Sequence, residues 1–199
     1  MSGFMHYLRY ISKDFFLQHV SWAQAVNRHG LNLGYSQKSR NLASMIKRVY
    51  TDTSVFGGNF DEEFSADTIL FFDRVRNGEV TMIVSDVLEA ELLGAPDFVR
   101  QLLDSFSKEF IERVRLSKDA SELADKYIEA KVVGKTSRAD CQHIAIATLC
   151  HADVLVSWNF KHIVNLDRIR GYNGINFQNG HQMIEIRTPK EIFNYGNEE

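Results

Sequence analysis

From residue 46 to the C-terminus, short apolar runs alternate with longer segments of helical periodicity, and that alternation leaves few architectures open. Strand-like runs are expected at Arg48–Asp52, Thr81–Ser85, Arg113–Leu116, Val154–Ser157 and Met183–Arg187. Between them, Glu62–Arg76 has helical spacing, with Phe64, Thr68, Phe72 and Val75 on one face. Further helices are expected at Val87–Leu93, Pro96–Ser105, Ala120–Ala130, Arg138–Cys150 and Lys161–Ile169. Pro96 and Pro189 each stand where a helix would start, a position at which the missing N–H costs nothing. Short apolar strands separated by helices imply an α/β fold, a parallel sheet with helices on both faces.

Residues 1–44 read differently. They carry a net charge of +4, hold few strand-like runs and end in the polar stretch Ser36–Asn41. They are expected to be a basic N-terminal extension, with a core domain over 45–199; Phe4, Leu8, Ile11 and Phe15 keep a helical alternative open. The whole chain is at −3, so residues 45–199 carry −7. An acidic body argues against a broad, sequence-independent grip on nucleic acid, but it suits a site that meets phosphate through a bound cation. No run of about 18 apolar residues spans a membrane, and Lys13, Asp14 and His19 interrupt the aromatic N-terminal cluster that a secretory signal would need intact. Cys141 and Cys150 lie about 13 Å apart along one expected helix at 1.5 Å per residue, too far for a disulfide. They read as small core residues of a reduced, cytoplasmic protein.

In parallel α/β folds, ligands bind beyond the carboxyl ends of the strands. Asp52 closes the first expected strand there; a lone Asp in that place is more often a turn or cap. Glu91 shares a helix face with Val87 and Leu88, so its carboxylate needs a partner if that face is buried. Glu89 shares a face with Ser85 and Asp86 and is the reserve candidate. Asp140 opens the Arg138–Cys150 helix, where an acid ordinarily complements the helix dipole, yet it aligns with Ile144 and Ala147 on the side facing the sheet. Jointly, three carboxylates near one edge of a sheet repel one another, whereas Mg²⁺ or Mn²⁺, with their preference for oxygen, make them a coherent site. His143 and His162 lack a second His or Cys at metal-binding spacing, and His143 is expected to pack or to support the site from behind. Gly57-Gly58 is expected to permit a tight loop.

These residues resemble the PIN-domain pattern. The resemblance is carried by Asp52-Thr53-Ser54 after a strand, Ser85 followed by Glu91, Ala139-Asp140 with His143-Ile144-Ala145, and Ala152–Asn159. It is strongest to a bacterial subgroup reading Asp-Thr-Ser-Val-Phe-Gly-Gly, here Asp52–Gly58, and Ser-Trp-Asn-Phe-Lys-His, here Ser157–His162. It runs from about Met45 to the C-terminus. The resemblance implies a three-layer α/β/α sandwich with a mostly parallel five-stranded sheet. It also implies Mg²⁺- or Mn²⁺-dependent RNA cleavage, a toxin role opposite a cognate antitoxin as in VapC-like proteins, and room for a homodimer. Asp52, Glu91 and Asp140 would then hold the metal, with Asn159 completing the catalytic set. The fourth position, commonly Asp in such nucleases, is Asn159 here, which removes one negative charge. Ser54, Trp158 and Lys161 are candidate RNA contacts, with the alternatives open that Trp158 is a core or rim aromatic and Lys161 a solvated charge.

Two other readings stay open. A non-catalytic PIN-like module binding RNA or protein is favoured by Asn159 and the acidic charge, and opposed by the three retained carboxylates. A phosphate-transferring protein with Asp52 as nucleophile would resemble haloacid-dehalogenase-like phosphatases, which usually place a second Asp where this chain has Ser54.

Overall fold

The structure is a computed structural model that describes residues 48–193, so the expectation for residues 1–44 lies outside the described residues. Five strands, β1 (Arg48–Thr51), β2 (Thr81–Ser85), β3 (Ile111–Val114), β4 (Val154–Val156) and β5 (Ile186–Arg187), form one sheet in the order β3-β2-β1-β4-β5. Every neighbouring pair is parallel. The α-helices are α1 (Thr53–Gly58), α2 (Ser65–Arg76), α3 (Asp86–Leu92), α4 (Asp97–Asp104), α5 (Lys118–Glu129), α6 (Arg138–Leu149) and α7 (Leu166–Gln178).

The period-2 alternation of the strands sorts side chains into two cores. Val49, Met82, Val84, Val154 and Val156 face one layer with Phe56, Phe71, Phe72 and Val99. Tyr50, Ile83, Leu155 and Ile186 face the other, with Leu123, Tyr127, Ile144 and Tyr172. Both faces are dry, which is why these strands read as continuous apolar runs. Burying each large aliphatic or aromatic side chain contributes about 1.5–3 kcal/mol, so the two layers dominate stability.

Several expected boundaries move, for local reasons. The strand expected at Met183–Arg187 shrinks to Ile186–Arg187, because Asn173 of α7 donates to Ile184 O and accepts from Ile184 N, at 3.1 and 2.8 Å. The strand expected at Arg113–Leu116 lies two residues earlier, at Ile111–Val114. The helix expected at Lys161–Ile169 instead begins at Leu166, where Asn165 Oδ1 caps it by accepting from Arg168 N at 3.2 Å. It then continues through Gly171, where a Cβ would stand 2.7 Å from Val132: close packing offsets the glycine's low helix propensity. The Gly57-Gly58 loop is in fact the end of α1. Gly58 is required not by a turn but by the indole of Trp158, which a Cβ would approach to 2.6 Å.

Strand β1 is central, and the chain moves to one side of it through β2 and to the other through β4. This change of direction opens a crevice beyond the carboxyl ends of β1 and β4. Asp52 follows β1, Ser157 follows β4, and α3 departs from the end of β2. Helix α6 precedes β4 and must run back towards the amino ends of the strands, so its first turn, with Asp140, belongs to the same edge.

Candidate metal centre

Asp52 occupies the N-cap position of α1 but makes no side-chain cap bond. Its Oδ2 accepts instead from Ser54 Oγ and Ser157 Oγ, each at 2.6 Å. Ordinary capping therefore does not account for this residue, which is 5% exposed and has both hydroxyls on one oxygen. Its other oxygen, Oδ1, lies 3.7 Å from His143 Nε2.

Glu91 reaches the same point from α3. Its Oε2 accepts from Thr53 Oγ1 at 2.5 Å and lies 3.1 Å from His143 Nε2. Glu89, the reserve candidate, points elsewhere: it is half-exposed and pairs with Arg113 at 3.0 Å. Burial would raise the Glu91 pKa, but the hydrogen bond and charge of His143, with the Thr53 hydroxyl, outweigh it and hold the carboxyl below its ordinary value.

His143 is 1% exposed and sits between the carboxylates. Its Nδ1 is 2.8 Å from Tyr50 Oη, which is 2.7 Å from Ser85 Oγ. Burial favours the neutral imidazole, yet the Glu91 hydrogen bond and the charges of Asp52, Glu91 and Asp140 hold its pKa above the ordinary value. One donor atom from each of Asp52, Glu91 and His143 lies within 4.8 Å of the others, a spacing that fits a single ion. Sequence reasoning gave His143 a supporting role. The one signal in the sequence was that His143 lies a turn after Asp140 on α6; its pairing with Tyr50 and Glu91 emerges only from the fold.

Asp140 is outside that three-residue group. Its carboxyl is pushed up to about 6, first by burial and then by the charge of Asp52, so it belongs electrostatically to the same acidic pocket. Asn159 Nδ2 donates to Asp140 Oδ1 at 2.8 Å, while Asn159 Oδ1 accepts from His162 N at 3.1 Å. A backbone donor on one side and a carboxylate on the other fix the orientation of this amide. The Asn159 side chain thus turns its nitrogen to Asp140 and one lone pair of its oxygen to the turn over 159–162.

Ser54 also ties the loops together, accepting from Trp158 N at 2.9 Å while it donates to Asp52. Trp158 is buried: its ring stacks on Phe64 at 4.5 Å and its Nε1 donates to Thr68 Oγ1 at 2.9 Å. These are the contacts of a core aromatic, one of the two readings open for Trp158, while the nearby Phe160 is 48% exposed. Lys161 is exposed and lines an open cleft of about 500 Å³ with Lys131, Val132, Asn165 and Arg168.

No family profile matches the sequence. Among curated proteins, the chain is similar to the arginine biosynthesis bifunctional protein ArgJ of Psychrobacter arcticus, with 24% identity over 158 residues. The alignment takes in 73% of this chain and 39% of that protein, so the chain spans about two fifths of the relative's length. Among solved structures, it is similar to VapBC2 from Rickettsia felis, crystallised with a DNA fragment from their promoter: TM-score 0.45, 15% identity, 71% of this chain and 98% of that chain. A second is FitAcB from Neisseria gonorrhoeae: TM-score 0.45, 13% identity, 71% of this chain and 97% of that chain. At those scores both are likenesses of outline, and function has to be argued from the residues. Among the described residues, no helix is long and apolar enough to cross a membrane.

Proposed function

We propose that this chain is a metal-dependent endoribonuclease of PIN-like type, hydrolysing RNA phosphodiester bonds in the cytoplasm as the toxin of a toxin–antitoxin pair. The observation that carries the hydrolase reading is the convergence of Asp52, Glu91 and His143 beyond the carboxyl end of a parallel sheet, with Asp140 electrically coupled to them. The toxin role and the antitoxin partner rest on the sequence resemblance from Asp52 to His162.

Asp52 and Glu91 supply anionic oxygens that suit Mg²⁺ or Mn²⁺. When bound, such an ion supplies a water of lowered pKa and offsets charge building on the phosphoryl oxygens. The chain's own residues supply the rest. Ser54 and Ser157 fix the Asp52 carboxylate, and Thr53 fixes that of Glu91. Asn159 fixes Asp140, whose carboxylate then orients water and accepts its proton. Lys161 and Arg168 give the phosphate backbone a cationic approach from the neighbouring cleft.

The test is incubation of mixed cellular RNA with the protein in Mn²⁺, in Mg²⁺ and in EDTA. Fragments in metal, none in EDTA and none with Glu91→Gln support the reading. Cleavage unaffected by EDTA, or intact in the folded Glu91→Gln variant, refutes it. The engaged Asn159 oxygen favours a second reading, a non-catalytic module that binds RNA or protein; RNA retention without fragments identifies it.

A further inference from the structure

We propose that His143 Nε2 is itself a ligand of the cation, which makes the centre a mixed nitrogen–oxygen site that selects Mn²⁺ and related transition ions over Mg²⁺. The inference rests on the divalent-ion reading above and deepens it, because carboxylates alone do not discriminate in this way.

Four observations converge. First, Nε2 stands 3.1 Å from Glu91 Oε2 and 3.7 Å from Asp52 Oδ1. An ion with bonds of about 2.1 Å places neighbouring donors ~3 Å apart and opposite donors ~4.2 Å apart, so small shifts seat it among these atoms. Second, the other ring nitrogen is anchored: Nδ1 meets Tyr50 Oη at 2.8 Å in a fully buried setting. A ligating imidazole characteristically has its remote nitrogen held in this way, which fixes the ring and raises its basicity.

Third, the anchor serves either tautomer. Without an ion, Nε2–H donates to Glu91, Tyr50 O–H donates to Nδ1, and Ser85 O–H donates to Tyr50 Oη. With Nε2 bare for a metal, Nδ1–H donates to Tyr50 Oη and Tyr50 O–H donates to Ser85 Oγ. Ser85 Oγ also accepts from Leu88 N at 3.2 Å, so its two lone pairs are then both used. With Nε2 protonated, every buried donor and acceptor along this path is paired; with Nε2 bare, the Ser85 hydroxyl proton alone is left without an acceptor on the path. Fourth, Asn159 presents its amide nitrogen, not its oxygen, to Asp140, while the oxygen turns to His162 N–H. Imidazole suits transition ions, whereas Mg²⁺ prefers oxygen and gives up water reluctantly.

The competing possibility is that His143 is a counter-ion, bridging the carboxylates and giving way when a cation arrives. Electron spin-echo envelope modulation separates the two without any variant. On the intact protein with one equivalent of Mn²⁺, modulation from one imidazole ¹⁴N is expected. In His143→Gln, with Mn²⁺ still bound, it is expected to vanish. Competition titration is expected to show Mn²⁺ binding at least ~10-fold more tightly than Mg²⁺, with the preference falling below ~3-fold in His143→Gln. Bound Mn²⁺ with no ¹⁴N modulation, or modulation that survives His143→Gln, overturns the ligand assignment and leaves the divalent-ion reading standing. No Mn²⁺ binding by the intact protein removes both.

Discussion

Replacing Asp140 by Asn should stabilise the metal-free protein while harming its function. The Asp140 carboxyl rises from the ordinary 3.8 to about 6 through burial and the neighbouring charges of Asp52 and Glu91. At 1.36 kcal/mol per tenfold, that rise corresponds to ~3 kcal/mol against the ionised form. Asp140 is only part-buried, so solvent screening reduces this to about 1–2 kcal/mol. The sign follows from linkage. Below pH ~3.8 the carboxyl is protonated in both folded and unfolded chains and imposes no penalty. As pH rises through the folded value near 6, the unfolded chain loses its proton more readily, and the penalty grows to its full size. Asn carries no charge at any pH, and its carbonyl still accepts from Asn159 Nδ2. In EDTA, thermal unfolding followed by circular dichroism should therefore give Asp140→Asn a midpoint about 2–8 °C above the parent at pH 8, and within ~1 °C at pH 4. Added Mn²⁺ should narrow the gap at pH 8, because the parent gains more from the ion. A variant no more stable than the parent at pH 8, or equally stabilised at both pH values, would refute the electrostatic account of this pocket.

Other perturbations follow from single contacts. Asn159→Asp replaces the Nδ2 donor with a carboxylate facing Asp140 across 2.8 Å; in EDTA it should cost about 1–3 kcal/mol by denaturant titration, and millimolar Mn²⁺ should restore most of that loss. Gly58→Ala forces a methyl against the Trp158 indole, so unfolding should ease by about 1–3 kcal/mol and Trp emission should shift to the red as the ring is displaced. Lys161→Ala should weaken RNA retention and reduce its salt slope by about 1, leaving Mn²⁺ affinity unchanged by calorimetry.

The layers and the sheet were legible because the strands at 48, 81 and 154 carry apolar side chains on both faces, a pattern that only a doubly covered sheet satisfies. What sequence could not give was the path through residues 157–165. Helical spacing suggested a helix from Lys161, but Asn159 and Asn165 each spend a side-chain oxygen on backbone N–H groups and delay its start to Leu166. Periodicity does not register such local side-chain bonds. The same limit hid the fate of the Asn159 oxygen. Glu91 was separable from Glu89 because its face carries Val87 and Leu88, and the structure indeed gives Glu89 to Arg113. His143 was harder to read: an isolated histidine on an apolar helix face shows its meaning only when β1 supplies Tyr50 and α3 supplies Glu91. For Trp158 the sequence left base stacking and core packing both open, since its position at a strand end does not reveal that Gly58 and Thr68 open a slot for it.

The central claim is that Asp52 and Glu91 hold a divalent ion used to cleave RNA. Its most direct test is the single-turnover cleavage rate as a function of Mn²⁺ concentration, for the parent and for Asp52→Asn, each shown to be folded. The parent rate should rise and saturate with Mn²⁺. Asp52→Asn should lose at least ~100-fold at any concentration, since several kcal/mol of transition-state stabilisation depend on the held ion. A parent rate independent of Mn²⁺, or a folded Asp52→Asn protein that cleaves as fast as the parent, would contradict the account.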